Sequence, residues 1–87
     1  MPYLLEYRDG WDKHYSKMDR SVQLIIWKKI QQQKNETGMR HLRHGVDFYV
    51  VEAGQNRIAI KVHEQAQMKE ICFAGNHMQY EKWYREQ

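Results

Sequence analysis

The spacing of apolar residues divides the chain into a helical first half and a strand-rich second half. After a short β-prone run at residues 2–7, apolar side chains recur at intervals of three and four as far as Ile30, the period of an amphipathic helix. From Asp47 onward the period becomes two, which is typical of strands with one buried face. The pattern predicts a small α+β fold with the element order β-α-α-β-β-β-α.

The helical half predicts a hairpin of two helices. Trp11, Tyr15 and Met18 have the spacing i, i+4, i+7, which places them on one face of a first helix. Asp19 has the residue type of an N-cap for a second helix that continues to Ile30. We expect both helices to pack on one face of the sheet and to leave the other face open.

The second half predicts an antiparallel meander followed by a short C-terminal helix. Turn-forming residues separate three strands, at Phe48–Ala53, Arg57–His63 and Met68–Ala74. The chain then changes direction at Gly75. Asn76 as N-cap and Gln79 three residues later form a capping-box-like pair that starts the helix.

Length and composition predict one soluble domain over residues 1–87. The formal charge of +3 is a reason to consider nucleic acid or an acidic protein as partner, although a charge of this size also serves solubility alone. Cys72 is the one cysteine, so an internal disulfide is impossible, and its apolar neighbours suggest a core residue. No signal peptide or membrane-spanning stretch is visible, and we expect a cytoplasmic protein without membrane contact.

Strict alternation along one predicted strand collects cationic side chains on the open face. Arg57, Lys61 and His63 share that face, with Ala59 between them. A phosphate backbone would neutralise such a row. The alternative is that these residues form weak cross-strand ion pairs with Glu52, Glu64 or Glu70.

A second cluster lies at the corner between the last strand and the last helix. His77 is a residue type that can serve as an acid or a base, and the sequence places it at the positive end of a helix. Behind it, Tyr80, Trp83 and Tyr84 share one helical face. That face either packs on the core or stacks on the bases of single-stranded RNA. No cluster with metal-ligand spacing is evident.

The element order and two short motifs resemble the RelE/ParE toxin superfamily over essentially the whole chain. The motifs are Gln55-Asn56-Arg57-Ile58-Ala59-Ile60 and the run from Phe73 to Trp83. The second motif is most similar to the HigB and YafQ branches, and the whole chain resembles the RelE/HigB/YafQ-like members. The resemblance implies a type II toxin that cuts mRNA on the ribosome without a metal or other cofactor. It also implies an acidic antitoxin that wraps and inactivates the toxin.

The resemblance also implies roles for individual residues. Arg57 matches the arginine after the family's hairpin turn and would stabilise the phosphate while the RNA 2′-hydroxyl attacks it. His77 would be an acid or base, and Tyr80 a stacking ring or second proton donor. Further RNA contacts are expected from Arg43, His44, Lys61, His63, Trp83 and Tyr84.

One departure from the family pattern keeps other functions open. RelE has lysines in the strand before the hairpin, whereas residues 48–53 contain none; Lys61 and His63 are candidate replacements. A ParE-like toxin that inhibits DNA gyrase and a non-catalytic RNA-binding domain are therefore the alternatives.

Overall fold

A four-stranded sheet with an α-helix on each face forms the protein. The structure is a computed structural model that describes residues 3–35 and 48–87. Its strands are β1 (Leu4–Tyr7), β2 (Phe48–Ala53), β3 (Asn56–His63) and β4 (Met68–Asn76), and its α-helices are α1 (Arg20–Gln32) and α2 (His77–Arg85). Neither helix is long and apolar enough to cross a lipid bilayer, as judged over the described ranges.

The sheet has the strand order β1-β4-β3-β2. Strands β2, β3 and β4 form the predicted antiparallel meander, whereas β1 pairs in parallel with β4. The α+β class is confirmed, but the sheet is mixed rather than wholly antiparallel. The physical reason is connectivity, because parallel neighbours need a long crossover connection and nearly the whole chain separates β1 from β4.

The predicted first helix is not an α-helix. Residues 9–18 form turns and a 3-10 helix at Tyr15–Lys17, so the helical hairpin is a turn segment followed by α1. The periodicity was still informative, since Trp11, Tyr15 and Met18 pack against the core as expected. A segment this short gains too little from helix propagation to offset nucleation, and ring contacts of Trp11 with Tyr7 and Tyr15 hold it instead.

The alternation predicted for β3 is present in the structure. Ile58 and Ile60 are fully buried on the α1 face beside Ile26 and Ile30, whereas Ala59 belongs to the opposite cluster. A register shift at Ala59/Ile60 leaves Cys72 as an extra residue in β4. This β-bulge turns both Cys72 and its neighbour Phe73 toward the second face.

Helix α2 covers part of the face that was expected to be open. Tyr80, on the inner side of α2, is fully buried with Phe73 and Ala59, and Trp83 packs beside them. An apolar helical face must be buried somewhere, and the bulge supplies an aromatic surface for it. The expectation of a fully open sheet face is therefore wrong. The cover extends to Phe48, which pairs with Lys61 and contacts Trp83 at a ring-centroid distance of 5.0 Å.

A buried lysine ties the end of α1 to the sheet. Lys69 Nζ donates to the Gln33 carbonyl at 2.9 Å, and the ammonium lies 4.4 Å from the Tyr3 ring centroid. A cation at a helix C-terminus interacts favourably with the helix dipole. The contact stabilises the packing of α1 against β4.

Candidate functional site

Strand pairing brings the start of β3 beside the start of α2. Arg57 pairs with Gly75, and Asn56 pairs with Asn76, the residue directly before α2. His77 is the first residue of the helix. The hairpin turn and the strand-to-helix corner therefore meet at one end of the two central strands, although Arg57 and His77 are 20 positions apart in the sequence.

The corner itself is held by a capping box, which confirms the sequence-based expectation. The Asn76 side chain accepts from the Gln79 backbone N–H at 2.8 Å, and Gln79 Oε1 accepts from the Asn76 N–H at 2.9 Å. Gly75 has no room for a side chain, because a Cβ there would lie 2.7 Å from Phe73 Cζ. These contacts fix the direction in which His77 leaves the strand.

Glu81 links the two residues that the sequence singled out. Its Oε2 lies 3.6 Å from a terminal guanidinium nitrogen of Arg57 and 3.9 Å from His77 Nε2. Glu52, opposite Arg57 on β2, adds a second carboxylate oxygen 4.0 Å from Arg57 Nε. Arg57 and His77 are thus neighbours through a shared carboxylate.

Tyr80 lies beneath this pair and is not accessible to solvent. The Arg57 guanidinium carbon is 5.3 Å from the centre of the Tyr80 ring, a cation–π distance, and Tyr80 is 0% exposed. In this conformation the ring supports Arg57 and offers no free face to a base. The contact favours support of Arg57 over the proton transfer that the resemblance implies for Tyr80.

The accessible groups at this corner suit phosphate chemistry. The His77 side chain is 61% exposed and that of Arg57 is 20% exposed. A guanidinium can bind two phosphate oxygens at once, and an exposed imidazole can exchange protons with a bound substrate. The ion pairs with Glu81 are long and partly exposed, so they add little to stability.

The far end of β3 forms a separate cluster. His63 Nε2 lies 3.1 Å from Glu70 Oε1, and Arg8 Nε donates to Glu70 Oε2 at 3.0 Å. Burial alone would raise the pKa of Glu70, but the hydrogen bonds from Arg8 and His63 outweigh it, and the pKa lies below its usual value. His63 comes six residues after Arg57, about 20 Å along a strand, so the two do not share a site.

The other residues expected to contact RNA have mixed positions. Trp83 stacks on Phe73 with ring centroids 5.2 Å apart, and Tyr84 stacks on Tyr80 at 5.9 Å. Both are half-buried, so each is shared between core and surface.

The basic residues expected to contact RNA lie elsewhere. Lys61 lies on the same face as Arg57, toward the cluster with His63 and Glu70. Arg43 and His44 lie outside the described residues.

Comparison with known proteins gives a fold but no sequence family. No protein-family model matches the chain, and no curated protein matches it. Among solved structures, a free double mutant of the E. coli toxin RelE superposes with a TM-score of 0.78, over 97% of this chain and 93% of that one, at 18% identity. The chain has the RelE toxin fold.

Two toxin–antitoxin complexes show the same likeness. The RelBE2 complex from Mycobacterium tuberculosis gives a TM-score of 0.73 over 88% of this chain and 93% of that one, at 11% identity. The RelB–RelE complex from Methanococcus jannaschii gives 0.63 over 91% and 98%, at 10% identity. The predicted RelE-like architecture is confirmed.

On this RelE fold sequence reasoning missed two residues, Glu81 in the site beside Arg57 and Arg8 in the separate cluster around Glu70. Glu81 could have been found from its i, i+4 spacing to His77, which places both on one side of a helix. Arg8 carries no comparable signal, because it follows β1 and reaches Glu70 only through the parallel pairing of β1 with β4. Across residues 3–35 and 48–87, no group of three or more His, Cys, Asp and Glu side chains could hold a metal ion.

Proposed function

We propose that this RelE-fold chain is the toxin of a type II toxin–antitoxin pair and that it cleaves mRNA on the ribosome. The observation that carries the proposal is the convergence of Arg57 and His77 on Glu81 at the corner between β4 and α2. The similarity to RelE structures supports the toxin role. The ribosome as target implies that the protein acts in the cytoplasm.

The proposed reaction is an attack of the RNA 2′-hydroxyl on the adjacent phosphate. The 2′-oxygen bonds to phosphorus, the bond from phosphorus to the 5′-oxygen breaks, and the products are a 2′,3′-cyclic phosphate and a 5′-hydroxyl. One group takes the proton of the 2′-hydroxyl and another gives a proton to the leaving 5′-oxygen. His77 performs one of these transfers, and Arg57 stabilises the charge that develops on the phosphate oxygens.

Glu81 and Tyr80 are positioning residues in this proposal. Glu81 holds Arg57 and His77 in the free protein, and a substrate phosphate takes over its place beside Arg57. The buried Tyr80 ring supports the guanidinium of Arg57 by a cation–π contact. The preorganised donor therefore needs little rearrangement when the phosphate binds.

Mapping mRNA ends in a translating extract tests the proposal. We expect new 5′ ends with the purified wild-type chain, and a loss of at least ~100-fold for His77→Ala and for Arg57→Ala, since acid–base and charge-stabilising groups each contribute about that much. Lys28→Ala removes an exposed cation from α1 and should cut like the wild type. Intact mRNA together with inhibited DNA gyrase would overturn the proposal in favour of a ParE-like toxin.

We also propose an acidic antitoxin as the partner of this chain. The formal charge of +3 suits such a partner, and two of the similar structures are toxin–antitoxin complexes. A small acidic protein encoded beside this chain should co-purify with it and suppress cleavage. Cleavage that continues at saturating amounts of that protein would contradict this assignment.

A further inference from the structure

A second cationic site lies on the opposite side of α2 from Arg57. A cavity of about 430 Å³ opens between the turn that follows β1 and α2, and its lining includes Lys13, His14, Lys82, Phe73 and Trp83. Successive residues on a helix are rotated by about 100°, so Lys82 and Glu81 face different directions. The buried ring of Tyr80 lies between the two sides.

The cavity concentrates positive charge. Lys13 and Lys82 line it, and within the described part of the chain no ion pair joins either of them to a carboxylate. Burial, followed by the nearby charges of Lys13, Lys17 and Lys82, lowers the pKa of His14. Glu86 is the acidic residue in the lining, and it is exposed.

Aromatic rings form the inner wall. Phe73 and Trp83 are stacked with an interplanar angle of 23°, and the rings of His14 and Phe73 form a T-shaped pair at a centroid distance of 5.7 Å. Met78, also in the lining, is 80% exposed. An apolar wall beside free lysines suits a ligand that is planar at one end and anionic at the other.

We propose that this cavity binds one nucleotide of single-stranded RNA. The phosphate lies on Lys13 and Lys82, and the base packs against the side chains of Trp83 and Met78. A volume of about 430 Å³ is within the range of small-ligand sites. The site rests on the proposed encounter with RNA but not on cleavage. It would hold the strand on one side of α2 while Arg57 and His77 act on the other.

Binding of a single-stranded oligonucleotide with 2′-O-methyl riboses tests this site, because such a strand cannot be cleaved by 2′-hydroxyl attack. We expect the Lys13→Ala/Lys82→Ala double variant to bind ~10-fold more weakly. The slope of log affinity against log salt should fall by about 0.7, which is one phosphate contact on a single strand. Fluorescence anisotropy at several salt concentrations gives both quantities.

The matched control removes the same charge elsewhere. Lys28→Ala/Lys34→Ala replaces two exposed lysines of the α1 region and should change the affinity less than ~2-fold. An equal loss in the control variant would show that only net charge matters and would overturn the proposal. Binding of AMP but not of the oligonucleotide, or equal lysine-dependent binding of a polyglutamate peptide, would also overturn it.

The outcome is separable from that for mRNA cleavage. His77→Ala should lose cleavage and keep oligonucleotide binding through the cavity. If the double lysine variant binds like the wild type while the wild type still cuts mRNA, the cavity proposal is wrong and the proposed function stands. If the wild type binds the strand through Lys13 and Lys82 but never cuts, the cavity proposal stands alone.

Discussion

Arg57 and His77 approach the same oxygen of Glu81, at 3.6 and 3.9 Å. The carboxylate occupies the position beside Arg57 that a phosphate oxygen would need. Glu81 therefore has two opposing effects in the proposed reaction. It holds both side chains in place before substrate arrives, and it competes with the phosphate for the guanidinium.

Glu81→Gln separates these two effects. Removing the negative charge should strengthen binding of the uncleavable oligonucleotide by a few-fold, because the phosphate no longer competes with a carboxylate. The cleavage rate at saturating substrate should fall by ~10-fold, because orientation of His77 is weakened. Lower KM together with lower kcat is the expected signature, and single-turnover kinetics measure it. A fall in kcat/KM through a raised KM would contradict a competing role.

Substitution of Tyr80 distinguishes support of Arg57 from proton donation. Tyr80→Phe keeps the ring that lies 5.3 Å from the Arg57 guanidinium, and we expect cleavage within about threefold of the wild type. A loss of ~100-fold or more would instead show that the hydroxyl transfers a proton.

Tyr80→Ala removes a fully buried ring and should lower the free energy of unfolding by about 3–5 kcal/mol. Urea unfolding followed by circular dichroism measures that loss.

Local patterns predicted the elements better than they predicted the pairing between distant ones. Alternation in residues 57–63 was enough to assign both faces of β3, because side-chain direction in a strand depends on the backbone alone. The place of α2 depended on the bulge at Cys72, which exists only in the pairing of β3 with β4. The burial of Lys69 likewise depends on the Gln33 carbonyl, 36 residues away. The pattern of charge and hydropathy along the chain predicts neither the position of α2 nor the burial of Lys69.

In the candidate site, too, the local motifs could be predicted from the sequence and the contacts between distant residues could not. His77 and its capping box were visible as a local motif, and Arg57 as the residue after a hairpin turn. Their shared carboxylate needed the register that pairs Arg57 with Gly75. The cavity at Lys13 was not predicted, because residues 10–14 and α2 come together only when the helix packs on the second face of the sheet.

Cys72 should be unreactive in the folded protein. Burial is the main cause that raises the pKa of its thiol to about 11, and the residue is 2% exposed. Since the thiolate is the reactive form, we expect negligible reaction with Ellman's reagent at pH 8 in buffer. One thiol per chain should react after unfolding in guanidinium chloride. Rapid reaction of the native protein would show that the bulge region opens readily.

Acid should weaken the contacts that Glu70 makes with Arg8, the residue after β1, and with His63. The pKa of Glu70 in the folded protein lies below its usual value of 4.5, because the hydrogen bonds from Arg8 and His63 outweigh burial. The ionised carboxylate therefore contributes stability at and above pH 4.5, and this contribution is lost as the pH falls through the folded-state pKa. Glu70→Gln should be less stable than the wild type at pH 7, and the difference in the free energy of unfolding should shrink near pH 3.

Urea unfolding at the two pH values gives the comparison. Asp12→Asn, which replaces an exposed carboxylate, is the control. A deficit of Glu70→Gln that is unchanged at pH 3 would show that the loss comes from packing and not from the charge of Glu70.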